Sequence, residues 1–172
     1  ISIDYFGVGL GPGSFTGLRV GLATIKGFTF ALKKPIVGVG SLDVIAQAIN
    51  EKVGLVCSLV DARRSLVYSA IYRFKDDRLK RKSRYSLIGI KELLRSVKGN
   101  TVFTGDGLTL YGKDIIKSLG GKALFADESF WYPKPASLLV VVREKIRSRH
   151  LSNSDKVVPF YLYAKECQVR SV

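Results

Sequence analysis

The sequence predicts an α/β protein made of two blocks of unequal size. Three observations carry this. Residues 1–52 alternate short apolar runs with helical patterns, the order that goes with parallel strands. Residues 53–172 begin with three strand-like runs and then alternate helix and strand. The 172 residues are 47% hydrophobic and 24% charged, an ordinary globular balance. A chain of that length buries close to 70% of its unfolded surface, so it has a real core.

The elements follow in order. Residues 5–8 are a short strand. Gly7, Gly9, Gly11 and Gly13 then crowd a turn, and Pro12 disfavours helix at Gly11. Ser14 is suited to cap the helix Phe15–Leu32. Residues 35–39 are a strand, and Ser41 is expected to cap a helix over 42–50. The continuous apolar run 55–60 reads as a strand buried on both faces. Asp61-Ala62-Arg63-Arg64-Ser65 is a turn into a strand at 66–72. Lys75-Asp76-Asp77 is a hairpin-like turn before a third strand near 79–87. Ile90, Leu93, Leu94 and Val97 have helical spacing. A strand at Thr101–Thr104, a helix at Leu108–Leu119, a short strand at Ala123–Phe125 and a helix opened by Pro135 complete the chain.

The βββαβα order of the second block is that of the ribonuclease-H-like, actin-like ATPase module. The first block, 1–52, looks like the remnant of a matching lobe, too small to fold comfortably alone. Its first strand is expected to lack neighbours and to expose an edge.

The glycine turn excludes the common phosphate loops. It has no Gly-Lys-Ser/Thr, and a G-x-G-x-x-G frame begun at Gly9 puts Ser14 in the last place. A helix N-terminus can hold an anion, but the turn reads first as a hinge. In the helix that follows, Gly17, Gly21 and Thr24 fall at i, i+4 and i+7 and form one ridge. Small residues allow close approach of another element. That element is either the chain's own sheet or the helix of a partner.

Residues 8–27, VGLGPGSFTGLRVGLATIKG, closely resemble the signature of the bacterial TsaB family, formerly YeaZ. The resemblance continues through Pro35-Ile-Val-Gly-Val-Gly-Ser-Leu42, Val60-Asp-Ala-Arg-Arg-Ser-Leu-Val-Tyr68, Thr104-Gly-Asp-Gly107 and Val158-Pro-Phe-Tyr-Leu-Tyr163. Tyr163 stands where the family usually has arginine. The resemblance implies a non-catalytic subunit in the formation of threonylcarbamoyladenosine on tRNA. It implies pairing with a TsaD-type transferase, contact with a TsaE-type ATPase through that pair, and a homodimer when the partner is absent. ATP and metal are expected on the partner, with no cofactor on this chain. The partner helix would be Phe15–Leu32, with Phe15, Gly17, Leu18, Gly21, Thr24 and Phe28 as contacts. The family has further residues before its signature strand, so the chain is expected to be incomplete at its N-terminus.

Catalytic and metal-binding residues are not expected. The second-lobe turn Asp61–Ser65 has no glycine for a phosphate, and one histidine, His150, makes no metal pair. Ser14 and Thr16 have no local base. Asp61 and Asp106 follow strands, where carboxylates hold magnesium or simply form turns. Cys57 and Cys167 match no metal spacing and read as free thiols of a cytoplasmic protein. The helix Phe15–Leu32 is broken by Arg19 and Lys26 and is no membrane span.

The net charge of +14 points to nucleic acid. Its densest stretch offers Arg78, Lys80, Arg81, Lys82 and Arg84 as candidate tRNA contacts, with Arg143, Lys145, Arg147 and Arg149 further on. The plainer reading is an edge strand kept soluble by charge. Two other functions remain open at this point: a degenerate actin-like ATPase that still binds nucleotide, and a stand-alone basic RNA binder.

Overall fold

The computed structural model describes residues 2–50, 54–76, 78–152 and 156–163. The boundary expected at 52/53 and the second thiol, Cys167, lie outside the described residues.

The first sheet has two parallel strands, β1 (Phe6–Gly9) and β2 (Ile36–Val39), in register from Phe6 opposite Ile36 to Gly9 opposite Val39. Helix α1 (Phe15–Leu32) connects them. Strand β1 therefore has one neighbour, contrary to expectation, because the 18-residue crossover returns the chain beside it. Among the described residues its other edge is unpaired. The Ser14 side chain accepts the Gly17 N–H at 3.3 Å, so the expected cap forms. Ser14→Ala is expected to cost about 1 kcal/mol, read as a fall of roughly 2–4 °C in melting temperature.

Helix α2 (Ser41–Gln47) departs from the sequence reading at both ends. Gly40, not Ser41, holds the N-cap position, while the Ser41 N–H donates to Gly11 O at 2.8 Å. A Cβ at Gly40 would collide with the Tyr85 hydroxyl, so a larger residue there has to displace the Tyr85 ring. The helix stops at Gln47 because the N–H groups of Ala48 and Ile49 bond three residues back, to Ile45 and Ala46.

The second sheet is ordered β5-β4-β3-β7-β8, with β6 also on β4. Its strands are β3 (Leu55–Asp61), β4 (Leu66–Lys75), β5 (Arg78–Arg81), β6 (Ser86–Gly89), β7 (Thr101–Thr104) and β8 (Ala123–Phe125). Strands β3, β4, β5 and β6 form the antiparallel part, and β7 and β8 add parallel to β3. Helices α3 (Ile90–Ser96), α4 (Leu108–Leu119) and α5 (Pro135–Arg147) complete the fold.

The single strand expected at 79–87 is two. Arg81 lies opposite Tyr72 and Ser86 opposite Ser69, so four residues, 82–85, face two on β4. This bulge is held by Ile71: its N–H donates to Ser83 Oγ at 2.9 Å and its carbonyl accepts the Lys82 N–H at 2.7 Å. Strand β4 accordingly runs on to Lys75, past the expected end at 72, because β5 pairs with its last residues.

The layers explain the hydrophobic pattern. Leu55, Cys57 and Leu59 of β3 face Leu93, Leu94, Leu108 and Ile115 of α3 and α4. Val56 on the opposite face packs with Leu42, Ala46 and Ile49. Both faces of β3 are thus covered, which is why its sequence does not alternate. Val44 of α2 instead joins Val37 and Val39 of β2 and Val141 and Val142 of α5. Helix α2 is a wedge between the two sheets, and α1 covers the far side of the first through Leu22, beside Val8 and Ile36.

Candidate functional site

Helix α1 buries one narrow seam. Leu22 and Thr29 are buried, and Leu18 and Ile25 are half-buried beside them. The spacing 18-22-25-29 sets this seam against the first sheet. Gly17, Gly21, Thr24 and Phe28 lie roughly a quarter turn round the helix from it. A Cβ added at Gly21 meets nothing within 4 Å, and one at Gly17 meets only its own cap, Ser14. Gly17 and Gly21 therefore do not pack on the chain's own sheet, whereas Phe28 on the same face does, through Phe6. Thr24 bonds its hydroxyl to Val20 O at 2.9 Å, so the ridge presents no unmet polar group there. Val20 is 61% exposed, Phe28 51% and Phe30 77% on this helix. Phe30, nine residues beyond Gly21, lies on the opposite side of the helix from the ridge.

The other two members of the expected set sit differently. Leu18 turns in under the glycine loop, where its Cδ1 crowds Gly11. Phe15 is covered on one side by Tyr161, ring centres 5.4 Å apart, while the Arg19 guanidinium lies 3.9 Å from its ring centre. Arg19 Nε also donates to the Tyr161 hydroxyl at 3.1 Å. Phe28 stacks on Phe6 at 5.9 Å and anchors the helix to β1.

The glycine loop borders a cleft between the two blocks of about 610 Å³, lined by Ser14, Asp61, Arg63, Asp106 and Trp131. Its two carboxylates are committed to turns. Asp106 Oδ1 accepts the Asp61 N–H at 3.0 Å, and Asp61 Oδ1 accepts the Arg63 N–H at 2.9 Å. Asp61 also pairs with the Arg63 guanidinium at 3.2 Å. The turn between them is unusual: Arg63, Arg64 and Ser65 have φ of 63°, 52° and 60°, three left-handed residues in succession. Cys57 is free and buried, and burial pushes its thiol up to about 12, so it is no nucleophile. No three described His, Cys, Asp or Glu side chains gather as a metal site.

The basic candidates lie at a sheet edge. Strand β5 pairs only with β4 among the described residues, and Arg78, Lys80, Arg81, Lys82 and Arg84 are exposed on it or in the bulge. Arg81 is not free: it reaches Asp43 Oδ1 at 3.4 Å and stacks 4.0 Å over the Tyr85 ring. Asp43 also accepts from the hydroxyls of Tyr72 and Tyr85. Burial first, then the Asp43 carboxylate, push both phenols up, so they stay neutral donors. Sequence reasoning missed the Asp43–Tyr85 and Arg19–Tyr161 contacts. Their partners are 42 and 142 residues apart, and no local signal marks them.

Two sheets wedged apart by one helix, with helices on the outer faces and a cleft at the glycine loop, define the ribonuclease-H-like, actin-like ATPase class. The chain belongs to the family described as TsaD, tRNA N6-adenosine threonylcarbamoyltransferase, whose model matches residues 1–168, and within it is of the TsaB (YeaZ) type. The tRNA threonylcarbamoyladenosine biosynthesis protein TsaB of Bacillus subtilis is 29% identical over 166 residues, 95% of this chain and 71% of that protein. The Escherichia coli protein of the same name is 38% identical over 73 residues, 41% of this chain and 32% of that protein. YeaZ from Pseudomonas aeruginosa has the same fold, with a TM-score of 0.80 at 22% identity over 93% of this chain and 74% of that one.

Proposed function

We propose that this protein acts in threonylcarbamoyladenosine biosynthesis on tRNA as a non-catalytic scaffold. It pairs with a TsaD-type transferase and, through that pair, reaches a TsaE-type ATPase. The observation that carries this reading is the open ridge of α1, small at Gly17 and Gly21 and flanked by exposed Val20 and Phe28. The relatives named for this pathway support it. In this reading ATP and metal belong to the transferase, the complex works in the cytoplasm, and the same ridge joins two copies when the partner is missing. No helix among the described residues is long and apolar enough to cross a membrane.

Catalysis on this chain has little to work with. The cleft carboxylates serve the backbone, and Ser14 caps a helix rather than meeting a base. A peptidase role, suggested by the description of one Pseudomonas aeruginosa neighbour as similar to peptidase YEAZ, finds no activated nucleophile among the described residues.

The test is the mass in solution of this protein mixed with its TsaD-type partner, by light scattering after size exclusion. One peak with the mass of a complex is expected. Two separate peaks overturn the scaffold. Thermal stabilisation of the chain alone by ATP would instead favour a nucleotide-binding subunit using the cleft.

A further inference from the structure

Strand β5 and the last turns of α5 form the two walls of a solvent-open trough of about 560 Å³. Its floor holds Asp43 and Tyr72. Five cations line it, Arg78, Lys80 and Arg81 from β5 and Lys145 and Arg147 from α5, beside two carboxylates, Asp43 and Glu144; Arg81 shares the sheet face of Tyr72, and Arg78 and Lys80 border the rim from the strand's other face. Asp43 is already engaged by Arg81 and two tyrosine hydroxyls. Arg78, Lys80 and Arg147 hold no ion pair with a described carboxylate.

Two plainer causes explain each wall separately. Edge strands carry charge to resist pairing, and cations suit a helix C-terminus. Neither cause explains why the fold sets the two walls opposite each other. Lys145 sits nearest the shared charge of the two walls. Its ammonium donates to Gly38 O at 2.7 Å in a half-buried place. Desolvation holds it below the usual lysine range; the Asp43 charge opposes that and the nearby Arg81 charge adds to it. An anion in the trough would add to the Asp43 charge in stabilising the ammonium.

We infer that this trough is a docking track for an RNA phosphodiester backbone, with α5 as its second wall. The cations line both walls rather than converge on one point, and the bulge carries the track onward through exposed Lys82 and Arg84. That is the layout for a chain of phosphates, not a single anion. The trough has no aromatic platform facing out for bases: Tyr85 is spent on Asp43 and Arg81. Backbone contact without base reading follows. The choice of RNA over an acidic protein rests on the proposed function.

The test is the anisotropy of a labelled, unmodified tRNA transcript titrated with this protein, alone and paired with its transferase, between 50 and 200 mM salt. Arg147→Gln on one wall and the double variant Arg78→Gln/Lys80→Gln on the other are each expected to weaken binding about three- to tenfold. Each removed contact is expected to lower the slope of log K against log salt by about 1. Lys91→Gln/Arg95→Gln on α3, exposed cations on a different groove, is the control and is expected to change affinity less than twofold. The track is wrong if Arg147→Gln binds like the parent, or if the α3 variant loses as much as the trough variants. It is also wrong if a polyglutamate peptide outcompetes the tRNA at equal salt, which would make the occupant an acidic protein. The mass of each variant with the transferase is measured in the same samples. An intact complex with unaltered RNA binding overturns the track alone, whereas RNA binding without a complex overturns the scaffold and leaves the track standing.

Discussion

Gly21→Leu is expected to leave the chain at least as stable as the parent while weakening its pairing with a TsaD-type transferase tenfold or more. The two halves of this result have separate causes. Within the chain, a Cβ at Gly21 enters open space. A helix-interior glycine costs about 0.5–1 kcal/mol relative to alanine, and leucine is nearly as good a helix former. The melting temperature should therefore hold or rise by a few degrees. At the surface, a leucine on the ridge keeps a partner helix from approaching as closely as glycine allows, and a tenfold loss corresponds to about 1.4 kcal/mol. Titration calorimetry or the size-exclusion assay measures the second half and thermal unfolding the first. Unchanged affinity with an intact fold would remove the ridge from the interface.

Gly105→Ala should do the reverse and damage the fold itself. Gly105 has φ +119°, outside the region that L residues adopt, and an added Cβ would stand 2.1 Å from Leu59 O. That oxygen cannot retreat. It belongs to β3, the strand between β4 and β7, and it accepts the Gly107 N–H at 3.1 Å. Strained φ and backbone overlap together should cost about 3 kcal/mol or more. This appears as a fall in melting temperature of at least about 6 °C, or as insoluble protein. Gly13→Ala is the comparison, since a Cβ there meets nothing within 4 Å. If Gly105→Ala melts within 2 °C of the parent, the tight packing of this turn on β3 is wrong.

The extent of α1 was legible because its ends carry local chemistry: Gly-Pro-Gly-Ser before it, and after it Lys33, in the left-handed conformation, and then Pro35. The strands Thr101–Thr104 and Ala123–Phe125 were legible because apolar runs of that length sit between helical patterns. The split of β5 from β6 was not, since it depends on Ser83 bonding to Ile71, twelve residues back. Nor could the sequence say whether the Gly17–Gly21 ridge was covered. Periodicity identifies the faces of a helix, but the narrow seam at Leu22 and Thr29 is chosen by the sheet that meets it. The hydrogen bonds of Asp61 and Asp106 were not legible either, since only the folded turn brings near the backbone N–H groups they accept. The trough was hidden for the same reason: its walls are more than fifty residues apart in the chain.

Helix α2 gives the two halves of the molecule one spine. Leu42, Ala46 and Ile49 belong to the core of the large sheet and Val44 to that of the small one. The tail reinforces this, for the Phe160 N–H donates to Leu10 O while the Phe160 ring packs 5.5 Å from Tyr85. A shared spine ties the core of each half to that of the other. In the proposed scaffold reading, the molecule is expected to present itself to a partner as one body.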